Sequence, residues 1–119
     1  LLFLGCQQVD DSNADFIVAA GAEPWDDGRR PRLGDIYRPH LGATMILLCQ
    51  SLVADSLKLN IRGPGVESEQ SLVVAGLEPA WIESRNLWVS KFPTGVDLLL
   101  CDDQRVAALP RTSVVEIGN

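Results

Sequence analysis

The sequence predicts a layered α/β domain, and three observations carry that prediction. Residues 43–52 (ATMILLCQSL) form a nearly unbroken apolar run, as a strand covered on both faces does. Residues 57–62 (LKLNIR) alternate apolar and polar side chains, the period of a half-exposed strand. Pro79 then opens a helix in which Trp81, Ile82, Trp88 and Val89 share one stripe. A helix set between apolar strands favours a mixed sheet with flanking helices over an all-β sandwich.

The remaining elements follow in order. The first six residues, LLFLGC, resemble the tail of a lipoprotein signal. They lack an initiating Met, a basic leader and a full apolar core, so the simpler expectation is a helix end. A polar turn at 10–13 precedes a buried strand at 16–20. Residues 21–42 hold three Pro and four Gly with little periodicity. They read as a long connection with a short helix, the segment expected to move most. Asp55 and Ser56 form a turn, and the runs on either side are expected to pair as an antiparallel hairpin. Arg62-Gly63-Pro64-Gly65 ends the second run, and Leu72, Val73 and Val74 form a short third one closed by Gly76.

The helix should stop before Pro93. Phe92-Pro93-Thr94-Gly95 is a stiff turn into an apolar run at 96–100, which carries one carboxylate, Asp97. Asp102 and Asp103 are expected to form a solvated hairpin turn. The closing strand runs from Val106 through Pro110, Arg111 and Thr112 to Ile117. Pro93 and Pro110 each lack a backbone donor, so neither belongs inside a central strand. This reading gives about five strands and one helix after residue 40.

A chain of 119 residues is expected to be a single domain, 1–119. It can bury roughly 65% of its unfolded surface. Apolar residues make up 46% and charged residues 22%, which argues against disorder. Net charge is −6, and the one basic group, Arg29, Arg30 and Arg32, is flanked by Asp26, Asp27 and Asp35. Nucleic acid and anionic membranes are therefore unsuited as main partners. No run approaches the ~20 apolar residues of a membrane helix. Cys6, Cys49 and Cys101 are an odd, scattered set, as in a reduced cytoplasmic protein with buried thiols.

Several chemistries lack their parts. Arg62-Gly63-Pro64-Gly65 has no following Lys, and Pro64 removes an N–H, so a phosphate loop is not formed. No G-x-S-x-G elbow is present. His40 is the sole histidine, too few for a zinc site with three scattered Cys. The Cys spacing does not suit an iron–sulfur cluster. Lys58 and Lys91 are the only lysines, one on an exposed strand position and one at a helix end, and neither suits a Schiff base. Trp81 and Trp88 read as core, whereas Trp25 in the long connection reads as exposed or interfacial.

Asp97 stands out, because an unpaired charge in an apolar run is costly. Arg111 is its candidate partner, since a guanidinium can hold a carboxylate with two prongs. One reading is a salt bridge or turn cap that fixes the last strands. The other is a site at strand ends, where Arg62, Asp97, Arg111 and Thr112 grip an anion or line an interface.

The ordered motifs F-P-T-G-V-D-L-L-L (92–100) and A-L-P-R-T-S-V-V-E-I (108–117) resemble the H subunit family of the bacterial carbon–phosphorus lyase system, PhnH. Gly42-Ala-Thr-Met-Ile-Leu-Leu is similar to the family's G-A-T-L-I-L strand. Residues 57–65 (LKLNIRGPG) are similar to its L-x-L-x-G-P-G-I stretch, with Ile61-Arg62 as a departure. Residues 9–18 resemble the segment before its strand. Family members begin well upstream, so the chain is expected to be an N-terminally truncated fragment.

The resemblance implies a fold like the α/β domain of pyridoxal-phosphate-dependent transferases, without a cofactor. It implies a cytoplasmic homodimer that joins the G, I and J subunits. That complex attaches alkylphosphonates to the ribose of a nucleoside triphosphate, and the J subunit breaks the carbon–phosphorus bond by radical chemistry. The expected role is that of a required non-catalytic subunit. The alternative is a stand-alone nucleotide- or phosphonate-binding domain with transferase activity.

Overall fold

The computed structural model describes residues 14–23, 31–34, 37–38, 42–54, 56–63, 69–90 and 94–118. They form two sheets and one helix. In the first sheet, β1 (Phe16–Ala20), β2 (Thr44–Leu48) and β5 (Asp97–Cys101) run parallel, and β6 (Val106–Leu109) pairs antiparallel with β5. In the second, β3 (Leu57–Arg62) lies between β4 (Gln70–Val74) and β7 (Val114–Ile117), all antiparallel. The α/β class is as the sequence predicts.

The expected hairpin between residues 43–52 and 57–62 does not form. β2 is hydrogen-bonded to β1 on one edge and β5 on the other, which leaves no edge for β3. After Leu48 the chain leaves the first sheet. Cys49 N–H donates to Cys101 O at 2.7 Å, and Ser51 forms an antiparallel bridge with Ala75 beyond β4. The predicted closing strand is two strands in different sheets, β6 and β7, so six strands rather than five follow residue 40 among the described residues. Pro110 interrupts the ladder, and the chain crosses from one sheet to the other.

β2 also differs from expectation in its covering. Met45 and Leu47 are fully buried, but Leu48 on the other face is 54% exposed. The alternation predicted for β3 holds: Leu59 is buried, while Lys58 and Arg62 are exposed.

The helix α1 (Ala80–Trp88) begins where Pro79 supplies a carbonyl and no donor. Ile82 N–H and Glu83 N–H reach Pro79 O at 3.0 and 3.3 Å. It ends at Trp88, before Pro93. Trp81, Ile82 and Trp88 join one core with Met45, Leu98 and Leu100 of the first sheet and Leu59, Val74 and Val115 of the second. Both tryptophans are core, as predicted. The expectations for residues 1–13, Trp25, Arg29, Arg30, His40, Asp55, Pro64, Gly65 and 91–93 lie outside the described residues.

Candidate functional site

The crossing from β6 to β7 takes four residues, Pro110, Arg111, Thr112 and Ser113. Ser113 N–H donates to Pro110 O at 2.9 Å, closing a tight turn. Asp97, the first residue of β5, faces this turn. Its Oδ1 accepts the Arg111 backbone N–H at 2.7 Å and the Nε–H at 3.4 Å, and its Oδ2 accepts Nη2 at 3.3 Å. One carboxylate thus holds both the backbone and the fork of Arg111, as the two-pronged pairing read from the sequence requires. The guanidinium packs against Gly42. A Cβ there would lie 3.0 Å from Arg111 Nη1 and 2.2 Å from Gly95 O.

The turn is held from its other side by Arg85. Its Nη2 donates to Pro110 O at 2.7 Å and Ser113 O at 2.9 Å, and its Nη1 donates to Asn86 Oδ1 at 2.9 Å. Arg85 is 1% exposed, and its Nε has no hydrogen-bond partner. Burial pushes its pKa below the ordinary arginine value, and the nearby Asp97 charge opposes that shift. Asn86 continues the attachment by donating to Val115 O at 3.0 Å. Arg85 belongs to the apolar stripe of α1, four residues after Trp81 and three before Trp88, so its burial is legible from spacing.

Of the four predicted site residues, the structure brings Asp97 and Arg111 into contact. Thr112 is exposed at the tip of the same turn. Arg62 ends β3 in the second sheet, paired in register with Val114, and is exposed. The Asp97–Arg111 pair sits at the N-terminal end of the parallel strands. Ligand sites of open α/β sheets lie at the C-terminal ends.

At those C-terminal ends stands Asp102, which sequence reasoning placed in a solvated turn. The hairpin is present, but the Asp102 side chain is only 5% exposed. Its Oδ2 accepts the Leu52 N–H at 2.8 Å, and its Oδ1 accepts those of Gln104 and Arg105 at 2.8 and 2.6 Å. These bonds, led by that from Leu52, hold its pKa below the ordinary value. Neighbouring Cys49 has its pKa pushed up to about 11, first by burial and then by Cys101, which makes its thiol a poor nucleophile. At the far edge, Arg32 pairs with Asp15 just before β1. Among the described residues, no three His, Cys, Asp or Glu gather as a metal site, and no helix is long and apolar enough to cross a membrane.

This is a small α/β domain whose described buried charges, Arg85 and Asp102, fasten one stretch of backbone to another. Residues 2–116 match the model of the bacterial phosphonate metabolism protein family PhnH. A protein of Stutzerimonas stutzeri named "Putative C-P lyase subunit protein HtxG" is 36% identical over 114 residues, 96% of this chain and 57% of that relative. The chain belongs to the PhnH family of phosphonate metabolism proteins.

Proposed function

We propose that the chain serves as a non-catalytic subunit of a carbon–phosphorus lyase assembly and supports alkylphosphonate activation. The observation that carries this reading is the fate of the strongest charged motif. Asp97 and Arg111 grip each other and the crossover turn, and Arg85 grips the same turn from the core. Charges committed to folding are those of a module whose job is shape. The family match and the relative's name support the pathway.

Exposed residues are then the contacts to consider: Arg62 and Thr112 from the predicted set, and Leu87, 72% exposed on the outer side of α1. Arginine and large apolar side chains are favoured at interfaces. We read the fold as related to the α/β domain of pyridoxal-phosphate-dependent transferases, with Lys58 on an open strand face rather than in the enclosed site a Schiff base needs.

The test is co-expression with the G, I and J subunits. Co-purification with them, and loss of activation when this chain is omitted, is the expected result. A chain that elutes alone would refute the proposal. Calorimetry of the isolated chain with ATP and with methylphosphonate separates it from the stand-alone alternative, for which heat of binding would be required.

A further inference from the structure

The second sheet closes one edge and leaves part of the other open. Lys58 O accepts the Gly118 N–H at 2.8 Å, so the backbone groups of Lys58 face β7. Strand residues alternate in direction, and Leu57, Leu59 and Ile61 therefore face β4, opposite Val74, Leu72 and Gln70. The N–H and C=O groups of Ser71, Val73 and Ala75 then point away from β3. Ala75 is paired there: its N–H donates to Ser51 O at 2.8 Å, and its O accepts the Ser51 N–H at 3.2 Å. The chain turns away after that bridge, because Ser51 Oγ takes the N–H groups of Val53 and Ala54, each at 3.2 Å. Among the described residues, the outward backbone groups of Ser71 and Val73 meet no partner.

The β7 edge is treated differently. Ser113 O accepts Arg85 and Val115 O accepts Asn86, so side chains of α1 stand where another strand would. β4 has no such guard. Its sequence, QSLVV, contains none of the lysines or prolines that blunt an open edge.

The open stretch fits an extended polypeptide. Two donors and two acceptors about 7 Å apart match alternate residues of a strand, and main-chain pairing at a sheet edge binds such segments. The Ser51–Ala75 bridge limits the segment's reach, since it must stop opposite Val73. A second copy of β4 fits poorly. In the register that pairs Ser71 with Val73 of the copy, Glu69 of the copy falls opposite Ala75, the place Ser51 holds. The occupant is a different chain. It presents an apolar residue to Leu72, which packs against the core, and no carboxylate beside the exposed Glu69.

We propose that the outer edge of β4 docks an extended segment of another subunit, added antiparallel through Ser71 and Val73 as a fourth strand of the second sheet. The proposal rests on the subunit role proposed above and names the surface that serves it.

The experiment is residue-resolved amide hydrogen exchange on the chain alone and on the complex co-purified with the G, I and J subunits. The Ser71 and Val73 amides should exchange at least tenfold more slowly in the complex, and those of Val106 and Ala108, on the open edge of β6, at the same rate in both. A complex that forms with Ser71 and Val73 unprotected would overturn the proposal and leave the subunit role standing. A chain that elutes alone would overturn both. Protection of Ser71 and Val73 that rises with the concentration of the isolated chain would make a second copy the occupant, and equal slowing at all four amides would point to general burial; either outcome counts against the proposal. Val73→Pro supplies a second reading. It removes only an outward N–H, a place where an edge strand accepts proline. The variant should keep the thermal melt of the parent and co-purify at least tenfold less. Full co-purification of the folded variant would also refute the docking edge.

Discussion

Asp97 and Arg111, fourteen residues apart, are joined twice: through the Arg111 backbone N–H at 2.7 Å and through its guanidinium at 3.3 Å. The backbone bond fixes where the turn begins, and the ion pair fixes which way the side chain points. Asp97→Ala removes both and should lower stability by about 2 kcal/mol, a value discounted because the carboxylate is partly exposed. Asp97→Asn keeps an acceptor for the N–H and should lose about half as much. Urea unfolding midpoints check this order, and equal losses would show that only the charge matters.

Arg85 should be the costlier side chain. Its Nη2 holds Pro110 O and Ser113 O within the core. Arg85→Ala strands those carbonyls and opens a cavity, with an expected loss of about 3 kcal/mol or more. Arg85→Met refills the space but leaves the carbonyls unpaired, so it should recover only part. If Arg85→Met is as stable as wild type, the two bonds contribute nothing net, as happens at some buried charges.

The elements that the sequence showed plainly are those whose partners are local. The α1 stripe of Trp81, Ile82 and Trp88, and the alternation of Leu57, Leu59 and Ile61, follow from periodicity alone. Pairing was harder. Runs adjacent in sequence usually pair, which is why β2 and β3 were joined. Yet a continuous apolar run belongs inside a parallel sheet and an alternating one in an antiparallel sheet, so the two patterns already argued for different sheets. The Asp97–Arg111 pair was legible because each residue is conspicuous, one in an apolar run and the other beside a proline. Asp102 was hidden: nothing in Asp102-Asp103-Gln104 signals a bond to Leu52, fifty residues earlier.

Asp102 should give the fold an acid-sensitive step. Its pKa is held below its ordinary value of 3.8 by the N–H groups of Leu52, Gln104 and Arg105. A depressed carboxylate stabilises the folded chain above its unfolded pKa, and that contribution is lost as pH falls through the folded one. Asp102→Asn should therefore be less stable than wild type at pH 6. The gap should shrink as pH falls below about 4. Melting temperatures of both proteins between pH 6 and 2.5 would show this convergence; a constant gap would mean that the charge is not involved.

Gly76 has a φ of 79°, and a Cβ there would lie 2.7 Å from Gln50 N. Gly76→Ala combines a left-handed backbone with a backbone clash, where the connection from β4 to α1 lies against the one from β2 to β3. An expected loss of about 2–3 kcal/mol follows. Gly42→Ala, with no such φ but a 2.2 Å approach to Gly95 O, should also destabilise and should displace Arg111. Thermal melts read the first effect. For the second, a double-mutant cycle of Gly42→Ala with Asp97→Ala should give less than the sum of the single losses.

Cys49 should be slow to alkylate. Burial first, then Cys101, pushes its thiol up to about 11. At pH 8 about one thiol in a thousand is then ionised, against roughly a quarter of an ordinary thiol, and only the thiolate attacks. Iodoacetamide should therefore modify Cys49 roughly 250-fold more slowly than an ordinary thiol at pH 8. The rate should climb nearly tenfold per pH unit as long as the chain stays folded. Site-resolved mass spectrometry over pH 7–9.5 measures both. Reaction at the rate of free cysteine at pH 8 would show a thiol activated rather than suppressed, and would reopen nucleophilic chemistry at the C-terminal ends of the parallel strands.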